Sequence, residues 1–136
     1  MQLLNKAYDE AGFEFDLVKA TRITDLAIFY TYTGDNEDVM SEFFNPLRKG
    51  GLDTLNVFWV NLSDADGTLG YASFPGFEEN TSDDKLVMDY RTMTGGEYPY
   101  GEGGTLVHEV CAIRPIFSCF RLAHSLIHSA LLSLLL

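Results

Sequence analysis

The first 110 residues contain no cysteine, and the last 27 contain no aspartate or glutamate. Both cysteines, Cys111 and Cys119, fall in that acid-free tail, so the acidic body has no disulfide and no thiol chemistry. In a continuous helix they would stand about 12 Å apart, beyond disulfide reach. Basic residues are also scarce: nine Lys and Arg face twenty Asp and Glu, a net charge of -11. A surface of that sign repels phosphate backbones and anionic lipid, which argues against nucleic acid and a membrane surface as partners. Four prolines and twelve glycines are too few for a low-complexity chain. The first residues lack a basic stretch followed by an unbroken apolar run, so no secretory signal is expected in them.

What is present is enough for a core. A chain of 136 residues, 46% hydrophobic and 13% aromatic, can form one domain that buries roughly two thirds of its unfolded surface. Leu3, Leu4, Ala7 and Ala11 have helical spacing, and Gly12 is a stop. Phe13, Phe15 and Leu17 alternate with Glu14 and Asp16, the period of a half-buried strand. From Asn36 to Lys49, Val39, Met40, Phe43, Phe44 and Leu47 again have helical spacing, weakened by Pro46 and ended by Gly50-Gly51. "TLNVFWVNL", residues 54–62, predicts a central strand, and "LGYASFP" and "DKLVMDYRTM" predict two more. A glycine-rich loop then leads into a helix opened by Thr105, Leu106 and Val107. The sum is an α/β (α+β) arrangement, with helices packed on a twisted mixed sheet.

"TLVHEVCAIRP", residues 105–115, starts as the zinc helix H-E-x-x-H and departs from it. Two His four residues apart share one helix face and can both reach a Zn²⁺, while the Glu beside the first takes a proton from the metal-bound water. His108 and Glu109 match, but Ala112 stands where the second His is needed. In the extended form, a glycine turns the chain so that a third His can return to the metal. Here Pro115 and Ser118 occupy those places.

The blocks "LNKAYDEAGFEF", "LRKGGLDTLNVFWVNL", "LGYASFP", "DYRTMTGG" and "TLVHE", in this order, resemble the secreted pappalysin-like (cytophagalysin-type) metalloproteases of the metzincin clan over residues 1–110. The resemblance implies a sheet of about five strands above a Zn²⁺ site, extracellular endopeptidase activity on peptide or protein substrates, and a substrate peptide added to one sheet edge, for which "LGYASFP" is the candidate. It assigns His108 as a zinc ligand and Glu109 as the catalytic acid/base, and nothing else of the site matches. The expectation is therefore an upper half-domain, residues 1–110, cut before the lower subdomain, with little zinc affinity and no appreciable peptidase activity. Residues 111–136 are read as an apolar tail foreign to the family, consistent with a shifted reading frame or an unspliced intron.

The tail offers two further readings. His124 and His128 are four apart and, with His108, make three imidazoles, although no Glu accompanies the second pair. The plain alternative is two histidines on one side of an apolar helix. Ile116 to Leu136 is also long enough for a bilayer span, but Arg121, His124 and His128 interrupt it, so membrane anchoring is not favoured. Asp64 and Asp66 before Gly67 hint at a calcium loop, but Pro75 stands at the twelfth position, where an EF-hand needs an acid. Glu78, Glu79, Asp83 and Asp84 read as a solvated loop.

Overall fold

In the computed structural model, the described residues are 1–24, 29, 40–51, 53–62, 67–72, 85–96, 99–113 and 128–135. Helix α1 (Gln2–Tyr8) buries Leu4 and Tyr8 and runs into a 3-10 turn, Asp9–Ala11. Gly12 ends it at φ 75°, a left-handed conformation that costs glycine nothing and a residue with a Cβ about 1 to 2 kcal/mol. The chain reverses there into strand β1 (Phe13–Thr21). The Asn5 side chain fastens the two together: its amide donates to the Phe15 carbonyl at 3.1 Å, and its oxygen accepts from the Phe15 amide at 2.8 Å.

Strands β2 (Thr54–Val60), β3 (Gly70–Ala72) and β4 (Leu86–Asp89) follow, then helix α2 (Gly104–Ile113) and strand β5 (His128–Leu135). The strand order is β1-β5-β2-β4-β3. All pairings are parallel except β3 on β4, so the sheet is mixed and β3 is its antiparallel edge. β2 is central, as its run of β-branched and aromatic residues predicts, and six of its seven residues are buried. The α/β class expected from the sequence is the one that forms.

Side chains alternate across the sheet and build two clusters. On one face Leu55, Val57, Leu86 and Met88 pack with Leu4, Tyr8, Phe15 and Val110, with Trp59 and Ala72 at the margin. On the other, Phe58, Val60 and Val87 pack with Phe44, Leu62 and Tyr71. Helices α1 and α2 thus share one face.

Several expectations change. The 36–49 helix is reduced, among described residues, to a π-helical turn at Met40–Phe44 and a 3-10 turn at Asn45–Leu47, because Pro46 removes an interior donor and the Phe44 and Phe58 rings meet at 4.8 Å. In β1 only Phe15 is buried: Leu17 and Val18 are half exposed because this strand lies at the sheet's edge. "DKLVMDYRTM" stays extended only through Asp89 and then turns as a 3-10 segment, Tyr90–Thr92. In the tail, residues 128–135 form β5 rather than a helix. A continuous apolar run suits a strand flanked on both sides, here by β1 and β2. No helix among the described residues is long and apolar enough to cross a membrane. Asp64, Asp66, Pro75, Glu78, Glu79, Asp83, Asp84, Pro115, Ser118, Cys119, Arg121 and His124 lie outside the described residues.

Candidate active site

Helix α2 carries both residues singled out by the motif. Its inward stripe of Leu106, Val107, Val110 and Cys111 packs on the α1 cluster, with Val110 fully buried. That stripe turns His108 and Ala112, one helical turn apart, outward together, and both are exposed. Glu109, between the two faces, is half-buried: burial pushes its carboxyl up, and the neighbouring His108 pulls it partly back.

Three devices fix where α2 begins. Gly103 adopts φ 79°, and the place a Cβ would take there is filled by the Leu3 side chain. The Val107 amide donates to the Gly103 carbonyl at 3.3 Å. From α1, the Tyr8 hydroxyl donates to the Val107 carbonyl at 2.7 Å. Ahead of the helix, Asp89 is fully buried and its carboxylate accepts four N–H groups: the amides of Leu62 at 3.0 Å and Arg91 at 2.9 Å, and the Arg91 guanidinium through Nε at 2.6 Å and Nη2 at 3.1 Å. The Asp89 carbonyl accepts the Thr92 hydroxyl at 2.7 Å. Arg91 also lies over the Tyr100 ring, 5.9 Å from its centre. Asp89, Arg91 and Tyr8 were not marked by the sequence motif. Asp89 immediately after the apolar run Leu86–Met88 was the only available signal.

Gly70 stands across from Met88 in the β3–β4 register and Ala72 across from Leu86, and α2 packs against β3. A Cβ at Gly70 would fall 2.9 Å from the Met88 sulfur and 3.3 Å from the Val87 carbonyl oxygen, so a larger residue here would have to displace the end of the Met88 side chain. The structure therefore sets the His108–Glu109 helix beside an antiparallel sheet edge.

A metal needs more than this helix offers. His108 supplies one imidazole, and the outward position a turn later is a methyl group. Among the described residues no three His, Cys, Asp or Glu side chains come together closely enough to hold a metal ion. His128 begins β5 opposite Phe13, and His124 lies outside the described residues. The donor set on α2 does not fit a catalytic zinc, which takes three protein ligands.

Comparison with known proteins gives the chemistry a context. The chain is similar to proteins named extracellular metalloprotease. One from Arthroderma benhamiae is 33% identical over 126 residues, covering 88% of this chain and 40% of that protein. A second from the same organism is 38% identical over 114 residues, covering 79% of this chain and 38% of its own length. One from Uncinocarpus reesii is 29% identical over 115 residues, covering 81% and 40%. The chain thus spans about 40% of the length of these relatives, and the similarity supports a metalloprotease relationship. No protein-family model matches the chain, and no solved structure matches it.

Burial has a pH signature in this region. It pushes the Tyr8 and Tyr71 phenols up to about 12, with Cys111 adding to the effect at Tyr8. An acid whose pKa is raised on folding stabilises the fold fully below its unfolded value, near 10, and loses that contribution as pH rises through the folded value. Unfolding free energy is therefore expected to fall between about pH 10 and 12. In chemical denaturation across that range, Tyr8→Phe should show a shallower fall. An unchanged slope would mean that Tyr8 reaches solvent.

Proposed function

We propose that this chain carries the upper part of a metzincin-type zinc metalloendopeptidase domain whose metal face is interrupted, so that it holds zinc weakly and does not cleave peptides. In this proposal residues 1–110 carry the family's motif blocks and residues 111–136, which carry none of them, complete the sheet through β5. The motif blocks and the similarity to extracellular metalloproteases support the lineage. They also support peptides or proteins as the ligands and the extracellular space as the setting. In this reading His108 is the remaining metal ligand and Glu109 the remaining acid/base, its carboxyl pushed up by burial, the direction that suits a group that takes up and returns a proton.

One observation carries the reading. His108 and Ala112 face outward side by side, so the alanine removes a ligand where the helix would present one. A single imidazole gives a metal too few protein ligands to activate its water. The purified chain is expected to degrade no casein beyond background, with or without a chelator and with or without added zinc. Hydrolysis that a chelator abolishes and zinc restores would defeat the proposal.

A second reading, peptide holding without cleavage, is favoured by the position of β3. Among the described strands it pairs only with β4, and a peptide added to its other side would lie beside α2. Submicromolar binding of an extended peptide by zinc-free protein would support this reading. Lack of binding to a panel of extended peptides would count against it.

A further inference from the structure

The Tyr8 hydroxyl is an unexpected partner for a helix interior. It comes from a residue 99 positions earlier in the chain and reaches the Val107 carbonyl, the oxygen of the peptide group that joins Val107 to His108. In an α-helix that carbonyl already accepts from the amide four residues on, here Cys111, and its second lone pair is free for another donor. The Tyr8 side chain is 6% exposed and packs edge-on to Phe15, with ring centres 5.6 Å apart, so its hydroxyl has no ready solvent alternative. A buried hydroxyl without a partner costs about 1 to 3 kcal/mol, and the Tyr8 donor therefore favours the one arrangement of α2 that presents the Val107 carbonyl to it.

The rest of α1 makes that donor rigid. Leu4 is anchored in the core, Asn5 holds both backbone groups of Phe15, and Leu3 occupies the space beside Gly103 at the start of α2. The first helix is thus tied to β1 at one point and to the beginning of α2 at two. We infer that Tyr8 is a positioning residue for the His108–Glu109 turn: docking of α1 through the Tyr8 hydroxyl orders the first turns of α2 and sets the face on which His108 stands. The N-terminal helix then acts as a handle on the site, because loosening α1 loosens the turn that carries His108 without touching either motif residue. The functional meaning of that turn rests on the reading given under Proposed function. The coupling itself does not, and a metal or peptidase assay could fail without affecting it.

The test is residue-resolved amide exchange on the full chain, comparing the natural sequence with Tyr8→Phe, which keeps the ring and removes only the donor. Expected is roughly tenfold faster exchange at the Cys111 amide, with the amides of β2 and β4 little changed. Phe15→Leu, which alters the packing beside the same ring, serves as the control and should speed all slow amides together. Equal acceleration of α2 and the strands in Tyr8→Phe would reduce Tyr8 to a general core residue and overturn the inference. If Tyr8→Phe does not fold, the unaltered chain still decides. A slowly exchanging Tyr8 hydroxyl proton, whose replacement by deuterium shifts the Val107 carbonyl carbon resonance, confirms the bond. A rapidly exchanging hydroxyl with no such shift refutes it.

Discussion

Asp89→Ala is expected to lower the thermal midpoint by about 10 to 20 °C, a loss in the range of 3 to 5 kcal/mol for breaking a buried charge network. The reason is the accounting around one carboxylate. Asp89 is fully buried and accepts four N–H groups, from the Leu62 backbone, the Arg91 backbone and two nitrogens of the Arg91 guanidinium. Alanine leaves the Leu62 amide without its acceptor inside the fold and frees the Arg91 guanidinium, which lies over the Tyr100 ring, from its anchor. It also removes the side-chain cap of the Tyr90–Thr92 turn, which starts the path from β4 to α2. Asp89→Asn should cost less, since its amide oxygen can still accept from a backbone N–H. Calorimetry on the two variants decides. A shift of a few degrees for alanine would show that water replaces the carboxylate and that the network is not what ties the turn to the sheet.

The second large effect is a gain. Ala112→His is expected to raise affinity for Zn²⁺ or Cu²⁺ at least about tenfold, because two imidazoles four apart on one helix face can reach the same ion. His108 and Ala112 are both exposed, so the new side chain meets no steric conflict and unfolds nothing. His108→Ala in the same background should abolish the gain. Calorimetric titration measures both. The substitution alone is not expected to create a peptidase, since a third protein ligand is still lacking. If Ala112→His binds no more tightly than the natural chain, then the outward face of α2 does not have the geometry described.

Much of the fold was legible in the sequence wherever the signal was local. Helix α1 and its Gly12 stop, the central strand β2, and helix α2 beginning after Gly103 all follow from periodicity and glycine placement within a few residues. What escaped depends on distance along the chain. Leu17 alternates correctly for burial yet lies half exposed, because whether a strand is central or peripheral is set by its neighbours. Residues 128–135 read as helix or anchor because a continuous apolar run has no period to tell a doubly flanked strand from a buried helix.

The candidate site divides in the same way. The outward pairing of His108 with Ala112 could be read from their spacing alone, and the structure places both as that spacing requires. The supports could not. Asp89 has meaning only beside the Leu62 amide, 27 residues earlier, and Tyr8 only beside the Val107 carbonyl, 99 residues later. Neither pair leaves a pattern in a single sequence. Gly103 lies between these cases: its place before the helix suggests a turn, but the contact with Leu3 that makes it glycine-specific emerges only in three dimensions.

Zinc content is the most direct measure of the central claim, that one imidazole on α2 leaves the metal face incomplete. The purified chain, equilibrated with micromolar zinc and then dialysed against metal-free buffer, is expected to retain far less than one zinc per molecule, and His108→Ala should change nothing. One tightly held zinc per chain, lost on His108→Ala, would contradict the account.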